Sequence, residues 1–392
     1  MKWPAQRMNT QRDKGFGVYP EAASLEREGA DVIHLEVGRP AFDTPPHIKQ
    51  AAKDALDAGI VHYGDLQGTA ALRVALAGKL ERDNRLSVSE DEILVTTGLT
   101  QASFATFAAA LDPGDEVVVL EPRYPQHPPK IELMGASVRS VPLEGGRGFR
   151  LDTERLEAAI SSRTTALVLV NPANPTGTVF SLEELRGLAD VAIRHDLLVV
   201  SDEVYEFITY DGRSHNSIAA LPGMWDRTVS LFAFTKAYAM DGWRLGYAVA
   251  PRPLIADIQR VTMNETTHPN VFAQEGAIAA VEGPQEPVRE MVAEDQRCRD
   301  LAYERLNAMP GVDCHLPEGS IYAFPNVSGL GLTAKEFAYR LLHERHVAVE
   351  PGTSYGPSGE GHVRVCFGSE PYDRLVEGLD RIERFTKGLE SR

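Results

Sequence analysis

The string Phe234-Thr235-Lys236-Ala237-Tyr238-Ala239-Met240-Asp241-Gly242-Trp243-Arg244-Leu245-Gly246-Tyr247 ends an apolar run on a lysine and places an arginine eight residues later, beyond a glycine. A lysine amine held in a cleft forms a Schiff base with a carbonyl group and moves protons as base and acid. The planar fork of an arginine suits a phosphate or a carboxylate. Upstream, Asn171-Pro172-Ala173-Asn174-Pro175-Thr176-Gly177 presents amides in a turn, and Ser201-Asp202-Glu203-Val204-Tyr205 sets a phenol three residues after a carboxylate. A second arginine, Arg364, lies in His362-Val363-Arg364-Val365-Cys366-Phe367. Taken singly, each has an ordinary structural reading: a strand-end lysine, a helix-capping aspartate, a turn asparagine, a core tyrosine, a paired strand arginine.

Their value depends on the elements that position them. Glu92 to Thr97, Val117 to Leu120, Thr165 to Val170, Leu197 to Val200 and Val229 to Phe234 read as strands without polar alternation. Thr100 to Leu111 and Glu183 to His195 read as helices, and Asp112-Pro113-Gly114-Asp115 as a turn. Such strands separated by helices indicate an α/β fold with a mostly parallel sheet covered on both faces. Asn171, Asp202 and Lys236 each follow a strand, so all three emerge at the carboxyl edge of one sheet, where ligands gather. After about Gly283 the texture changes. Pro287 to Asn307 reads as a long charged helix, followed by strands at Ile321–Phe324, Val347–Val349 and Val363–Phe367 and a closing helix from Tyr372 to Lys387, a smaller α+β unit.

The length of 392 residues suggests about two domains. A formal charge of −16 argues against nucleic-acid binding, which needs a basic footprint. The three cysteines, Cys298, Cys314 and Cys366, have no C-x-x-C spacing, form no even framework and sit beside no histidine pair. A reducing cytoplasm is expected and a metal site is not. No stretch approaches a membrane span, and the opening Met1-Lys2-Trp3-Pro4-Ala5-Gln6-Arg7 has no apolar leader core.

Together the strings around Lys236, Asn174 and Asp202 resemble the class I/II aminotransferases, the pyridoxal-phosphate (PLP) enzymes of fold type I, over roughly residues 32 to 385. The resemblance implies a large domain at 48–285 with a seven-stranded, mostly parallel sheet between helices, and a discontinuous small domain from 1–47 and 286–392. It implies PLP as cofactor, Lys236 as the Schiff-base lysine, and Asp202 facing the pyridine nitrogen. Asn174 and Tyr205 would bond the phenolic oxygen, and Tyr124 would stack on the ring. Gly98, Leu99, Thr100 and Arg244 would hold the phosphate. Tyr63 would reach the phosphate of a neighbouring subunit, implying a homodimer with shared active sites. Arg364, with Gly38 and Asn174, would bind the substrate carboxylate.

The chain departs from the family at Ala233, where a serine or glycine is usual. A lost hydroxyl bond to a charged group is worth roughly 1.5–3 kcal/mol. His34, His195 and His343 read as structural, while His127 and His268 lie near segments that line the family's substrate pocket. The expected activity is amino-group transfer between an L-amino acid and a 2-oxo acid by a ping-pong mechanism. A lyase, cyclase or oxidase on the same scaffold is the alternative, since fold does not fix chemistry. A PLP-sensing regulator would need a DNA-binding module ahead of the resemblance. Thr100 stands where some aspartate-acting relatives place a lysine; Arg39, Arg123 and Lys130 are other cations for a dicarboxylate.

Overall fold

Apolar runs without alternation become the central strands of one sheet, because strands buried on both faces have no polar side. The computed structural model describes residues 3, 5, 7, 8 and 17–390. The remaining residues of 1–16, and 391–392, lie outside them; they include part of the 1–47 stretch expected to join the small domain. The strands are β1 (Ile33–His34), β2 (Ile93–Thr96), β3 (Glu116–Glu121), β4 (Ser137–Pro142), β5 (Thr164–Val170), β6 (Leu198–Asp202), β7 (Thr228–Ala233), β8 (Gly246–Val249), β9 (Tyr322–Ala323), β10 (Val347–Ala348), β11 (Glu350–Pro351) and β12 (Val363–Cys366). Seven of them form the large sheet in the order β2-β8-β7-β6-β5-β3-β4. All neighbours in it are parallel except β8, which is antiparallel to both β2 and β7.

Alternate side chains of β3 leave by opposite faces. Val117 and Val119 pack with Ala102 and Ala105 of the helix Leu99–Ala110 and with Ile255 and Ile258 of the helix Arg252–Glu265. Val118 and Leu120 pack with Leu185 and Leu188 of the helix Leu182–Arg194. The latter helix starts in a capping box: Ser181 Oγ accepts from Glu184 N, and Ser181 N donates to Glu184.

The strand bounds differ from the sequence reading in one useful way. β6 runs on to Asp202, so the carboxylate sits on the last strand residue instead of after it. β4 has no apolar run and went unread; it is an edge strand with one buried residue. Val18, Ala22, Ile33 and Leu35 share an apolar core with Cys298, Leu306, Phe337, Val365 and Phe385. The early chain is therefore packed with the late one, and β1 pairs with β10 in parallel. No helix of the described residues is long and apolar enough to cross a membrane.

A buried ion pair braces the segment just beyond β6. Lys79 is 1 % exposed, and its Nζ lies 2.5 Å from both oxygens of Glu206 and 2.9 Å from Asn84 Oδ1, over the Phe232 ring at 4.6 Å. Removing one partner of such a pair costs about 3–5 kcal/mol, because the other charge stays buried alone. Lys79→Met is expected to lose that much in urea unfolding, and Lys79→Met with Glu206→Met to recover most of it. A loss below about 1 kcal/mol for the single variant would mean that the pair does not brace this segment.

Candidate active site

The ends of β5, β6 and β7 lie side by side, and the Asn171 N–H donates to Asp202 O at 3.0 Å. Asp202 is 2 % exposed. Its Oδ2 is 3.1 Å from His127 Nε2, and its Oδ1 accepts from Val204 N at 3.3 Å. His127 opens the helix His127–Leu133 and is fully buried. Burial holds its imidazole below the usual histidine range, against the upward pull of Asp202. The ring is therefore held neutral, with its Nε2 against the Asp202 carboxyl. His127, expected near segments that line the substrate pocket, is the buried partner of Asp202. His268 accepts the Gly64 N–H at 3.2 Å beside the Tyr63 ring. His34, His195 and His343 pair with Glu36, Glu157 and Glu21, as structural residues do.

Three residues past β7, Lys236 donates to Gly38 O. Burial lowers its amine to about 8. Its Nζ stands 6.0 Å from the Tyr205 ring centre. Tyr205 Oη is 2.8 Å from Tyr322 Oη, a partner that sequence reading missed. Burial raises both phenols, Tyr322 to about 12, so both keep their protons and one donates to the other.

Arg364, on β12, brings the small-unit strands to the same place. It is 7 % exposed, donates to Asn174 Oδ1 at 3.1 Å and to Glu36 O, and lies over the rings of Tyr322 at 4.2 Å and Tyr355 at 5.1 Å. Its Nε has no partner among the described residues. The loop from Glu36 to Gly38 thus meets the buried arginine through the Glu36 carbonyl and the lysine through the Gly38 carbonyl, two residues on. Gly38 has no room for a side chain: a Cβ there would meet the Tyr322 hydroxyl at 1.9 Å. Overpacking of this kind costs about 1–3 kcal/mol. Gly38→Ala is expected to displace Tyr322 and to raise the KM of the amino donor about 10- to 100-fold in steady-state assays; an unchanged KM would show that the loop gives way freely.

An anion cradle lies at the other end of the cluster. Gly98 has a φ of +78° at the start of the helix Leu99–Ala110, and a Cβ on it would come 2.8 Å from Arg244 Nη2. A Cβ on Gly246 would meet Leu99 N at 2.9 Å. The free N–H groups of a helix start and an arginine fork converge here, a site for a phosphate. Arg244 Nη1 is steadied by Asp241 O at 2.8 Å. Thr100 Oγ1 lies 3.5 Å from Gln126 Oε1. Ala233 pairs with Gly246 across β7 and β8 and brings no hydroxyl. Between the two ends, Tyr124 is half-buried with its ring edge-on to His127 at 5.2 Å. These cavities, which a side chain would fill, and this donor set fit a cofactor with a phosphate at one end and a ring nitrogen at the other.

Tyr63 is not drawn into the cluster. It is 91 % exposed, and its ring contact is with His268. Of the three further cations, Arg123 is held by Glu121 and Ser140, and Lys130 is 8 % exposed with its Nζ on Ser103 Oγ at 2.6 Å. Arg39 is exposed.

The family described as aminotransferase class I and II matches residues 30–382. The chain is 41% identical to an aspartate aminotransferase of Pyrococcus abyssi, over 90% of this chain and 91% of that one. It is 38% identical to aromatic-amino-acid aminotransferase 2 of Thermococcus litoralis, over 91% and 92%. The crystal structure of an aromatic aminotransferase from Pyrococcus horikoshii superposes with a TM-score of 0.90 at 40% identity, covering 94% of this chain and 99% of that one. The carboxyl-edge cluster and these likenesses have one source: the chain belongs to the class I and II aminotransferases, PLP-dependent enzymes.

Proposed function

We propose that this aminotransferase passes an amino group from an L-amino acid to a 2-oxo acid, alternating the two substrates at one site built on Lys236, Asp202, Asn174, Tyr205, Arg244 and Arg364. The observation that carries these roles is the meeting of Lys236 and Arg364 on the Glu36–Gly38 carbonyls. PLP, when bound, supplies a carbonyl carbon for the amino group and a ring that accepts the electron pair left on the donor's Cα. Gly98, Leu99, Thr100 and Arg244 would hold its phosphate, with Tyr124 against the ring. Asp202, oriented by His127, would face the pyridine nitrogen and favour its protonated form. Asn174 and Tyr205 would bond the phenolic oxygen. Arg364 fixes the donor's carboxylate with two parallel bonds, with Gly38 and Asn174 beside it, and so presents Cα–H to Lys236. Lys236, its amine lowered to about 8 by burial, would take that proton from Cα as base and hold it for return as acid.

The large unit is proposed as 48–285 and the small one as 1–47 with 286–392, supported by the apolar core that residues 18–35 share with 298–385. The exposure of Tyr63 supports a homodimer in which it reaches the partner's site. A cytoplasmic location is in keeping with three free, buried cysteines.

Mixing the PLP-loaded protein with single amino acids, without acceptor, tests the reading. One equivalent of 2-oxo acid with conversion of the cofactor to its amine form is expected. Free ammonia or an elimination product would move the enzyme to another PLP reaction. The same panel addresses the donor. Among the described residues the Arg39 side chain has no hydrogen bond or ion pair, and it follows Gly38. Arg39→Ala is expected to raise the KM for aspartate roughly tenfold or more, the worth of one charge-assisted contact, and to leave that for phenylalanine unchanged. Equal shifts for both would deny Arg39 a place at a distal carboxylate.

A further inference from the structure

The helix Glu286–Asn307 buries a carboxyl that has no cationic partner among the described residues. Asp295 is 6 % exposed, and among the described residues it has no hydrogen bond or ion pair. Its Oδ1 lies only 2.8 Å from where a Cβ on Gly368 would stand. The carboxyl faces a cavity of about 190 Å³, walled also by Phe42, Glu294, Cys298, Glu370 and Tyr372. Among the described residues no basic side chain lines it, although the Arg297 guanidinium covers the Tyr372 ring at 3.5 Å. Glu294 is engaged by Arg297 at 3.1 Å, and Glu370 accepts from His34 N at 3.3 Å. Of these three carboxyls, Asp295 is the one without a hydrogen-bond partner among the described residues. Burial, with a smaller push from Glu294, raises its pKa well above the ordinary carboxyl range.

An unpaired buried carboxyl is a standing cost to the fold. A cation that entered the cavity would remove that cost. A hard inorganic ion requires several converging oxygen ligands, and among the described residues no group of three or more carboxylates, histidines or cysteines is placed to hold a metal ion. A guanidinium is weakly hydrated, donates two parallel bonds to one carboxylate and stacks on aromatic faces. We propose that this cavity is a binding site for a small guanidinium-bearing ligand, anchored by Asp295 and walled by the Phe42 and Tyr372 rings. It is separate from the catalytic cluster, none of whose residues lines it. It adjoins the loop beyond Gly38, since Ala41 N donates to Gly368 O at 2.9 Å.

Methylguanidinium chloride titrated calorimetrically into the PLP-loaded protein at pH 8 and fixed ionic strength tests this. One saturable site per chain is expected, with tetramethylammonium, which has no N–H, giving none. Asp295→Asn should weaken binding at least about tenfold, as loss of a charged partner does. It should melt no lower than the parent, because an unpaired buried carboxyl has been removed. Cys298→Met keeps the carboxylate but narrows the cavity, and should also weaken binding, so the test survives if Asp295→Asn folds poorly. No saturable heat, equal affinity in both variants, or displacement by the amino donor would each overturn the proposal.

Discussion

Lys236→Ala is expected to lower the turnover of both half-reactions by at least about 10⁴-fold, the upper range for removing a positioned acid–base group. Because Lys236 is proposed both to carry the cofactor and to move the proton, no neighbour can stand in. Tyr205 and Tyr322 are held in their protonated forms by burial, and the His127 imidazole is committed to Asp202. Lys236→Arg should be as inactive, since a guanidinium keeps the charge but cannot become a neutral base near neutral pH. Single-turnover assays with a saturating donor check both. Residual turnover within about 10²-fold of the parent would remove Lys236 from the proton path.

The lowered amine also has a sign in stability. In the unfolded chain a lysine titrates near its ordinary value of about 10.4. In the folded chain burial lowers the Lys236 amine to about 8. The fold therefore disfavours the charged amine, and the penalty is full below pH 8. Stability should rise as pH climbs from 8 towards the unfolded value, where the unfolded chain holds more protons than the folded one. Lys130, lowered to about 8 by its own burial, adds a slope of the same sign. Lys236→Met should remove its share of the rise in urea midpoint over that window and leave the share due to Lys130.

The parts of the site legible in the sequence are those on the carboxyl edge. Val168, Val200 and Leu231 are buried on a sheet with both faces covered, so their strands read as unbroken apolar runs and fix where Asn171, Asp202 and Lys236 must emerge. The fork of Arg364 was legible through its string. Its contact with Asn174 was not, because 190 residues separate them. Tyr322 lies in a strand of two residues, too short to show a period, and its role follows from Tyr205 and Gly38 closing around it. His127 sits between Gln126 and two prolines, a pattern that reads as a loop, yet it opens a helix that buries it under Asp202. β4 alternates poorly because it is an exposed edge. What went unread was thus set by distant packing, not by local pattern.

Arg364→Met is expected to cut kcat/KM for amino acids by about 10²–10⁴, since two charge-assisted bonds at about 1.5–3 kcal/mol each would be lost from the substrate carboxylate. The guanidinium already gives one N–H to Asn174 Oδ1 and one to the Glu36 carbonyl. Five donors in a fixed fork leave three for a carboxylate, without breaking those bonds. Lysine has the charge but not the fork, so Arg364→Lys should retain one bond and lose about 10- to 10²-fold. The rings of Tyr322 and Tyr355 would still flank either replacement. A general loosening of the small unit must be told apart from loss of the carboxylate contact. An amine that lacks the α-carboxylate does so: it should react slowly with the parent and at the same rate with both variants. Cofactor affinity should stay within a few-fold, because the proposed phosphate cradle at Gly98 and Arg244 lies at the other end of the cluster. If the variants lost the amine reaction in equal measure, Arg364 would be a brace for Asn174 and the Glu36 loop; if amino acids reacted at the parent rate, the carboxylate would be held elsewhere.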